Sequence, residues 1–132
     1  MQKKPRILWI EDEIEAQRDF QICFKESFDI DFAKDLPQAV KFAEENQYDL
    51  INSDYNLGEG NATGIEAVQI IREMGITVPV LFITSEPMKI YKEAGKLDYE
   101  GVLEKQRLDY AKWRSAFKGA IANNRQQGGF LR

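Results

Sequence analysis

The chain contains no histidine, and this absence removes several kinds of chemistry at once. Acid–base catalysis by histidine, histidine metal ligands and a phosphohistidine carrier are all excluded within these residues. There is also only one cysteine, Cys23, which cannot form an internal disulfide. A lone thiol is compatible with a reducing cytoplasm, where we expect the protein to reside. Its neighbours Phe20, Ile22 and Phe24 favour a buried position in a helix over a reactive thiol.

Long apolar runs and an excess of positive charge are absent as well. No segment approaches the roughly 20 apolar residues of a membrane-spanning helix, and the short run before Glu11 is too brief for a signal peptide. Lysine and arginine number 18 against 22 acidic residues, so the net charge is −4. We therefore expect neither membrane insertion nor direct nucleic-acid binding by this domain. A length of 132 residues favours one domain with a sizeable core.

The chain does contain a regular alternation of short apolar runs with segments of helical periodicity. These patterns predict strands at about 7–10, 28–32, 49–54, 78–84 and 99–103, and helices at about 13–27, 35–46, 64–74, 87–94 and 107–122. Such alternation is typical of an α/β fold, in which helices cover both faces of a parallel sheet. The strictly alternating second strand is expected near a sheet edge. Polar residues 123–132 predict a tail or the stub of a linker after a domain at 1–122.

Four of the predicted strands finish in polar or charged residues: Glu11 and Asp12, then Asp54, Thr84 and Lys105. Parallel strands would place these ends on one edge of the sheet. Two carboxylates about 4 Å apart repel by roughly 4 kcal/mol at an effective dielectric constant of 20, and a bound Mg²⁺ would relieve this repulsion. A carboxylate can also attack phosphorus, with an ammonium and a hydroxyl stabilising the phosphoryl oxygens. Each residue alone could equally be a solvated turn, a helix cap or a surface charge.

This set of strand ends resembles the receiver domain of a two-component response regulator, over about residues 6–121. The resemblance implies a flavodoxin-like fold, a doubly wound parallel sheet of five strands in the order 2-1-3-4-5. It implies that Asp54 is the phospho-acceptor. It further implies that Mg²⁺ is the cofactor, bound directly by Asp12 and Asp54, through a water by Glu11, and by the backbone carbonyl of Asn56. Thr84 would be the switch hydroxyl and Lys105 the catalytic ammonium.

The resemblance also implies partners and a time course. The phosphate would come from a sensor histidine kinase or a phosphotransfer protein, and the output would be an unknown protein or a separate output domain, with a homodimer through the last two helices as a possibility. Such a domain is not an enzyme beyond its own phosphorylation and dephosphorylation. Asn56 and Glu86 occupy the positions that tune hydrolysis in similar receivers. Both are polar and can hold an attacking water, which predicts a short-lived aspartyl phosphate.

Several positions depart from the pattern of that family. Val102 stands where an aromatic residue that changes rotamer is common, and Gln106 stands where proline often follows the lysine. Asn52 and Ser53 replace apolar residues in the third strand, and they need hydrogen-bond partners if they are buried. A partner surface is predicted from the aromatic residues of the last three elements: Tyr91, Tyr99, Tyr110, Trp113 and Phe117, of which Phe117 is expected in the core.

Three other functions compete with that of a phospho-accepting receiver. A degenerate receiver would bind a partner whatever its phosphorylation, and Val102 and Gln106 leave that reading open. An aspartyl-nucleophile phosphatase usually carries a second aspartate two residues past the nucleophile, and Asn56 there removes the general acid. A flavodoxin-like cofactor carrier is disfavoured because the first strand ends in acids rather than in a phosphate-binding loop.

Overall fold

The computed structural model describes the backbone of residues 3–131 and the side chains of residues 3–125. The strands are β1 (Arg6–Ile10), β2 (Asp29–Ala33), β3 (Leu50–Ser53), β4 (Val80–Thr84) and β5 (Gly101–Glu104). The helices are α1 (Ile14–Phe24), α2 (Leu36–Glu45), α3 (Gly64–Glu73), α4 (Pro87–Glu93) and α5 (Tyr110–Leu131). All strands are parallel, in the order β2-β1-β3-β4-β5, which confirms the predicted doubly wound α/β fold.

The sheet separates two hydrophobic cores. On one face α2, α3 and α4 pack through residues such as Ala39, Val68 and Ile90, which are all fully buried. On the other face α1 and α5 enclose an aromatic cluster around Trp9, whose ring stacks on Phe20 with 4.4 Å between centroids. Burial on both faces explains why the central strands read as continuous apolar runs. The predicted edge position of β2 is confirmed, and its exposure is correspondingly greater.

Local signals determine where the helices begin. The Asp35 carboxylate accepts a hydrogen bond from the Gln38 N–H at 3.0 Å and caps α2. Thr63 and Glu66 form a reciprocal capping box at the start of α3, with bonds of 3.2 and 3.1 Å. Among the residues described, no helix is both long enough and apolar enough to cross a membrane.

The region after β5 differs from the prediction. Lys105–Arg107 form a short 3₁₀ turn, and α5 begins only at Tyr110. The helix then continues to Leu131 instead of ending near residue 122. The two glycines at 128 and 129 lower helix propensity but do not stop a helix that is already nucleated. Residues 123–131 therefore extend α5, while their use as a tail or linker stays a prediction.

Candidate functional site

The carboxyl ends of β1 and β3 bring three acidic residues together. Ile10 pairs with Ser53 in the sheet, so that Glu11 and Asp54 follow side by side. Carboxylate oxygens of Glu11, Asp12 and Asp54 all lie within 4.8 Å of one another. Glu11 is fully buried and Asp54 is 6% exposed, whereas Asp12 is half-buried. The sheet edge thus concentrates negative charge where little water can screen it.

Lys105 is the cation that balances this charge. Its Nζ lies 2.6 Å from Oε1 of Glu11 and 2.8 Å from Oδ2 of Asp54. The 3₁₀ turn after β5 carries the ammonium across the sheet edge, between β1 and β3. Burial by itself would lower the pKa of Lys105, but the bonds to Asp54 and Glu11 raise it to about 12. The lysine therefore stays charged at neutral pH.

Glu11 lies in an unusual environment for a carboxylate. Burial raises the pKa of Glu11 to about 7, although Lys105 and the N–H of Glu13 act in the opposite direction. The Glu13 N–H donates to Oε2 at 3.1 Å. Apart from the Lys105 ion pair, Oε1 has no hydrogen-bond partner in the described part of the chain. This oxygen is therefore available to a further donor or to a cation.

The backbone at Asp54 is held by close packing against α3. A Cβ at Gly64, the first residue of α3, would lie 1.8 Å from the carbonyl oxygen of Asp54. That carbonyl also accepts a hydrogen bond from the Ser53 hydroxyl at 2.9 Å. Ser53 thus finds the partner that its burial requires, whereas the amide of Asn52 has none among the described residues. Sequence reasoning treated Gly64 only as a helix start, because the contact is tertiary.

Thr84 and Asn56 complete the edge of the site. The Thr84 side chain is fully buried, and its Oγ1 accepts the N–H of Glu86 at 3.0 Å, which leaves the hydroxyl proton free to donate. Oδ1 of Asn56 accepts the N–H of Gly58 at 3.0 Å. The N–H of Asn56 points to Oδ1 of Asp54 at 3.4 Å, a long contact. Asn56 therefore follows Asp54 in a loop that bends around that residue.

A cavity of about 280 Å³ opens onto these groups. It is lined by Asp12, Glu13, Asp54, Asn56, Gly58, Glu59, Ser85 and Lys105. Glu86 is absent from this lining and touches the site through its backbone N–H, which bonds to Thr84. Sequence reasoning missed Glu13, Gly58 and Glu59, which only the folding of the loops brings to the mouth of the cavity.

The donor set suits a hard divalent cation. Carboxylate and carbonyl oxygens beside an open, water-accessible cavity are the environment in which Mg²⁺ binds, usually through one or two carboxylates and several waters. Glu11 Oε1 is a buried oxygen whose one partner in the described part of the chain is the Lys105 ammonium, and the half-buried Asp12 lines the cavity. The residues present therefore fit the ion that the sequence predicts.

The aromatic residues of the last elements divide between core and surface. Trp113 and Phe117 are buried, as expected for Phe117, and belong to the cluster around Trp9. Tyr91 is 58% exposed on α4, while Tyr99 and Tyr110 are half-buried. Tyr91 is therefore the exposed member of the predicted set, and the apolar side chains of Met88 and Leu108 are exposed as well.

Comparison with solved structures places this geometry in context. The signal receiver domain of an HD domain-containing protein from Pseudomonas fluorescens superimposes with a TM-score of 0.79 at 18% identity, covering 94% of this chain and 99% of that one. Chemotaxis protein CheY4 of Vibrio cholerae gives 0.79 at 22% identity, covering 89% and 99%. The N-terminal domain of a response regulator/sensory box/GGDEF protein from Carboxydothermus hydrogenoformans gives 0.79 at 22% identity, covering 92% and 98%.

These likenesses show the fold, and the sequence itself shows the family. None of the curated proteins has a detectable match to this chain. Residues 7–112, however, match the family described as the response regulator receiver domain. The match spans β1 to the start of α5 and includes every strand end described above. The chain therefore belongs to the response regulator receiver domain family of two-component signalling.

Proposed function

We propose that this receiver accepts a phosphoryl group on Asp54 in a Mg²⁺-dependent reaction, and that phosphorylation switches a protein-interaction surface. The phosphate would come from a sensor histidine kinase or a phosphotransfer protein. One observation carries the proposal: a single ammonium, that of Lys105, lies within 2.8 Å of both the acceptor carboxylate and a second buried carboxylate. Such a charge arrangement is a poor structural element but a suitable receptor for a phosphoryl group.

The reaction needs little from the protein beyond position and charge. An Asp54 oxygen forms the new bond to phosphorus while the bond from phosphorus to the donor's histidine nitrogen breaks, and that nitrogen keeps the electron pair. Lys105 already contacts Oδ2 of Asp54 and would remain beside the phosphoryl oxygens. Thr84 would donate its hydroxyl proton to one of them. Asp12, Asp54 and the carbonyl of Asn56 would hold Mg²⁺, with Glu11 acting through a water, and the bound ion would offset the charge of the transferred group.

Loss of the phosphate would be the second half of the cycle. Water reaches the site through the cavity that Asn56 and Ser85 line. The small Ser85 leaves room for a water molecule, and the amide nitrogen of Asn56 can donate to it. Glu86 would accept a hydrogen bond from that water after a side-chain rotation. The phosphoprotein would thus be short-lived. The chemistry of the domain would be limited to its own phosphorylation and dephosphorylation, and it would take place in the cytoplasm.

The output surface would lie on the side of the sheet that ends in β5. Exposed Met88 and Tyr91 on α4 and exposed Leu108 before α5 form its apolar part. A contiguous apolar patch on a protein surface commonly marks a site that a partner covers. The partner would be an output protein, an output domain of a longer chain, or a second copy bound through the last two helices.

A degenerate receiver is the competing function, and two observations favour it. Val102 is half-buried and cannot swing as an aromatic ring would, and Lys105 is already paired with Asp54 without a phosphoryl group. Incubation with acetyl phosphate and Mg²⁺, followed by intact-mass measurement, separates the two functions. We expect the mass to rise by one phosphoryl group, and we expect no rise when EDTA is present from the start. An unchanged mass under conditions that label a control receiver would support the degenerate alternative.

A further inference from the structure

The residue that precedes helix α4 is hydrogen-bonded to Thr84, the proposed switch hydroxyl. Glu86 immediately precedes Pro87, the first residue of the helix, and donates its N–H to Oγ1 of Thr84 at 3.0 Å. Any rotation of the Thr84 side chain towards a phosphoryl group must therefore move this N–H or break its hydrogen bond. The start of α4 consequently responds to Thr84 directly.

The last turn of α4 is tied to the residue after the acceptor. The hydroxyl of Tyr55 lies 2.9 and 2.8 Å from the two carboxylate oxygens of Glu93, the last residue of the helix. The Lys89 ammonium lies 5.6 Å from the centroid of the same ring. Because Lys89 and Glu93 are four residues apart, they lie on one face of α4 and hold the ring between opposite charges. The hydrogen bond to Glu93 raises the pKa of Tyr55 above its ordinary value.

Little else anchors this helix. It has only seven residues, and Ile90 is its one buried side chain. Met88 and Tyr91 are 60% and 58% exposed. A short helix with so little buried apolar surface is drawn from the low-stability part of a structure. The contacts at its two ends therefore have a large influence on its position.

We propose that Tyr55 is the positioning residue that couples the state of Asp54 to α4 through its hydrogen bond with Glu93. The inference rests on the proposed phosphorylation of Asp54. Tyr55 is adjacent to Asp54, and its own carbonyl accepts the N–H of Gly64, the first residue of α3, at 2.7 Å. A group added to Oδ1 of Asp54 would meet the neighbouring loop, whose Asn56 N–H faces that oxygen at 3.4 Å.

This route does not need an aromatic residue that changes rotamer at position 102, where this chain has valine. Displacement of the loop moves the Tyr55 ring, and the ring carries Glu93 and the end of α4 with it. Thr84 acts at the same time on the start of the helix through Glu86. The exposed side chains of α4 then change position together as one two-state element.

Hydrogen exchange of residues 87–94, with and without acetyl phosphate and Mg²⁺, tests the proposal. In the parent protein we expect phosphorylation to change the exchange rates of this segment. Tyr55→Phe keeps the ring and the Lys89 contact but removes the hydroxyl, so it should gain the same phosphate mass and lose the exchange response. Lys92→Gln changes an exposed side chain of the same helix that touches neither Tyr55 nor Thr84, and it should behave as the parent does. A full response in Tyr55→Phe would overturn the proposal.

Variants at Glu93 distinguish a specific bond from a general loosening of the helix. Glu93→Ala should lose the response, Glu93→Gln should retain part of it because the amide oxygen still accepts, and the double variant Tyr55→Phe/Glu93→Ala should be no worse than either single change. A parental response in Glu93→Ala would contradict the coupling. Failure of the parent to gain phosphate would instead refute the proposed function, so the two outcomes remain separate.

Discussion

The buried carboxylate of Glu11 makes stability depend on pH in an unusual direction. An acid whose pKa is raised in the folded state binds more protons when folded than when unfolded, so stability is present at low pH and is lost as the pH rises through the folded pKa. For Glu11 the interval runs from an ordinary value of 4.5 to about 7. At 1.36 kcal/mol per pKa unit, the free energy of unfolding should fall by about 3 kcal/mol across this interval because of Glu11 alone.

Glu11→Gln removes the titrating group while keeping the size of the side chain. Urea unfolding in EDTA at pH values from 5 to 8 can be followed by the fluorescence of Trp9 and Trp113, which are both buried. We expect the parent to lose stability with rising pH and the variant to lose about 3 kcal/mol less. Glu44→Gln, which changes an exposed carboxylate on α2, should leave the parental pH dependence unchanged.

Mg²⁺ gives the same experiment a second arm. A cation bound beside Glu11 would favour its ionised form, so added Mg²⁺ should restore stability at pH 8 in the parent and have a smaller effect in Glu11→Gln. Identical pH dependence in the parent and Glu11→Gln would refute the reasoning, because burial would then not affect this carboxylate as the structure indicates. An equal Mg²⁺ effect in both proteins would separate Glu11 from the metal site.

Three further predictions test the rest of the site. Gly64→Ala should lower the free energy of unfolding by about 3 kcal/mol because the added Cβ meets the Asp54 carbonyl. Gly119→Ala, where a Cβ would meet open space, should be neutral or stabilising. Equal effects of the two changes in urea unfolding would contradict the packing at Gly64. Asp12→Ala should weaken Mg²⁺ binding at least about tenfold by calorimetry, and parental affinity would exclude it as a ligand. Asn56→Leu and Glu86→Leu should slow decay of the phosphoprotein, and faster or equal decay would show that neither side chain assists the water.

The fold was predictable because its pattern is local and repeated. Buried parallel strands read as short apolar runs, helices read as a different period, and their alternation implies crossovers that bring every strand's carboxyl end to one edge. The proximity of Glu11, Asp12 and Asp54 follows from that topology, since each residue lies directly after β1 or β3. Edge strand β2 was recognisable from its alternation of apolar and charged residues.

Other features depend on contacts that no spacing reveals. Three such contacts arise only from tertiary packing. The 3₁₀ turn carries Lys105 between two carboxylates, and Gly64 approaches the Asp54 carbonyl. The Tyr55–Glu93 hydrogen bond joins residues that are 38 apart in the chain. The end of α5 was placed too early because polar residues and glycines weaken a helix without defining its last residue.

Direct chemical identification of the phosphorylated residue is the most direct test of the central claim. Borohydride reduces an acyl phosphate to an alcohol, so an aspartyl phosphate becomes homoserine. Protein treated with acetyl phosphate and Mg²⁺, then reduced and digested, should contain homoserine at position 54, whereas Asp54→Asn should contain none. Conversion at another residue, or parental phosphate uptake by Asp54→Asn, would contradict the assignment of Asp54 as the acceptor.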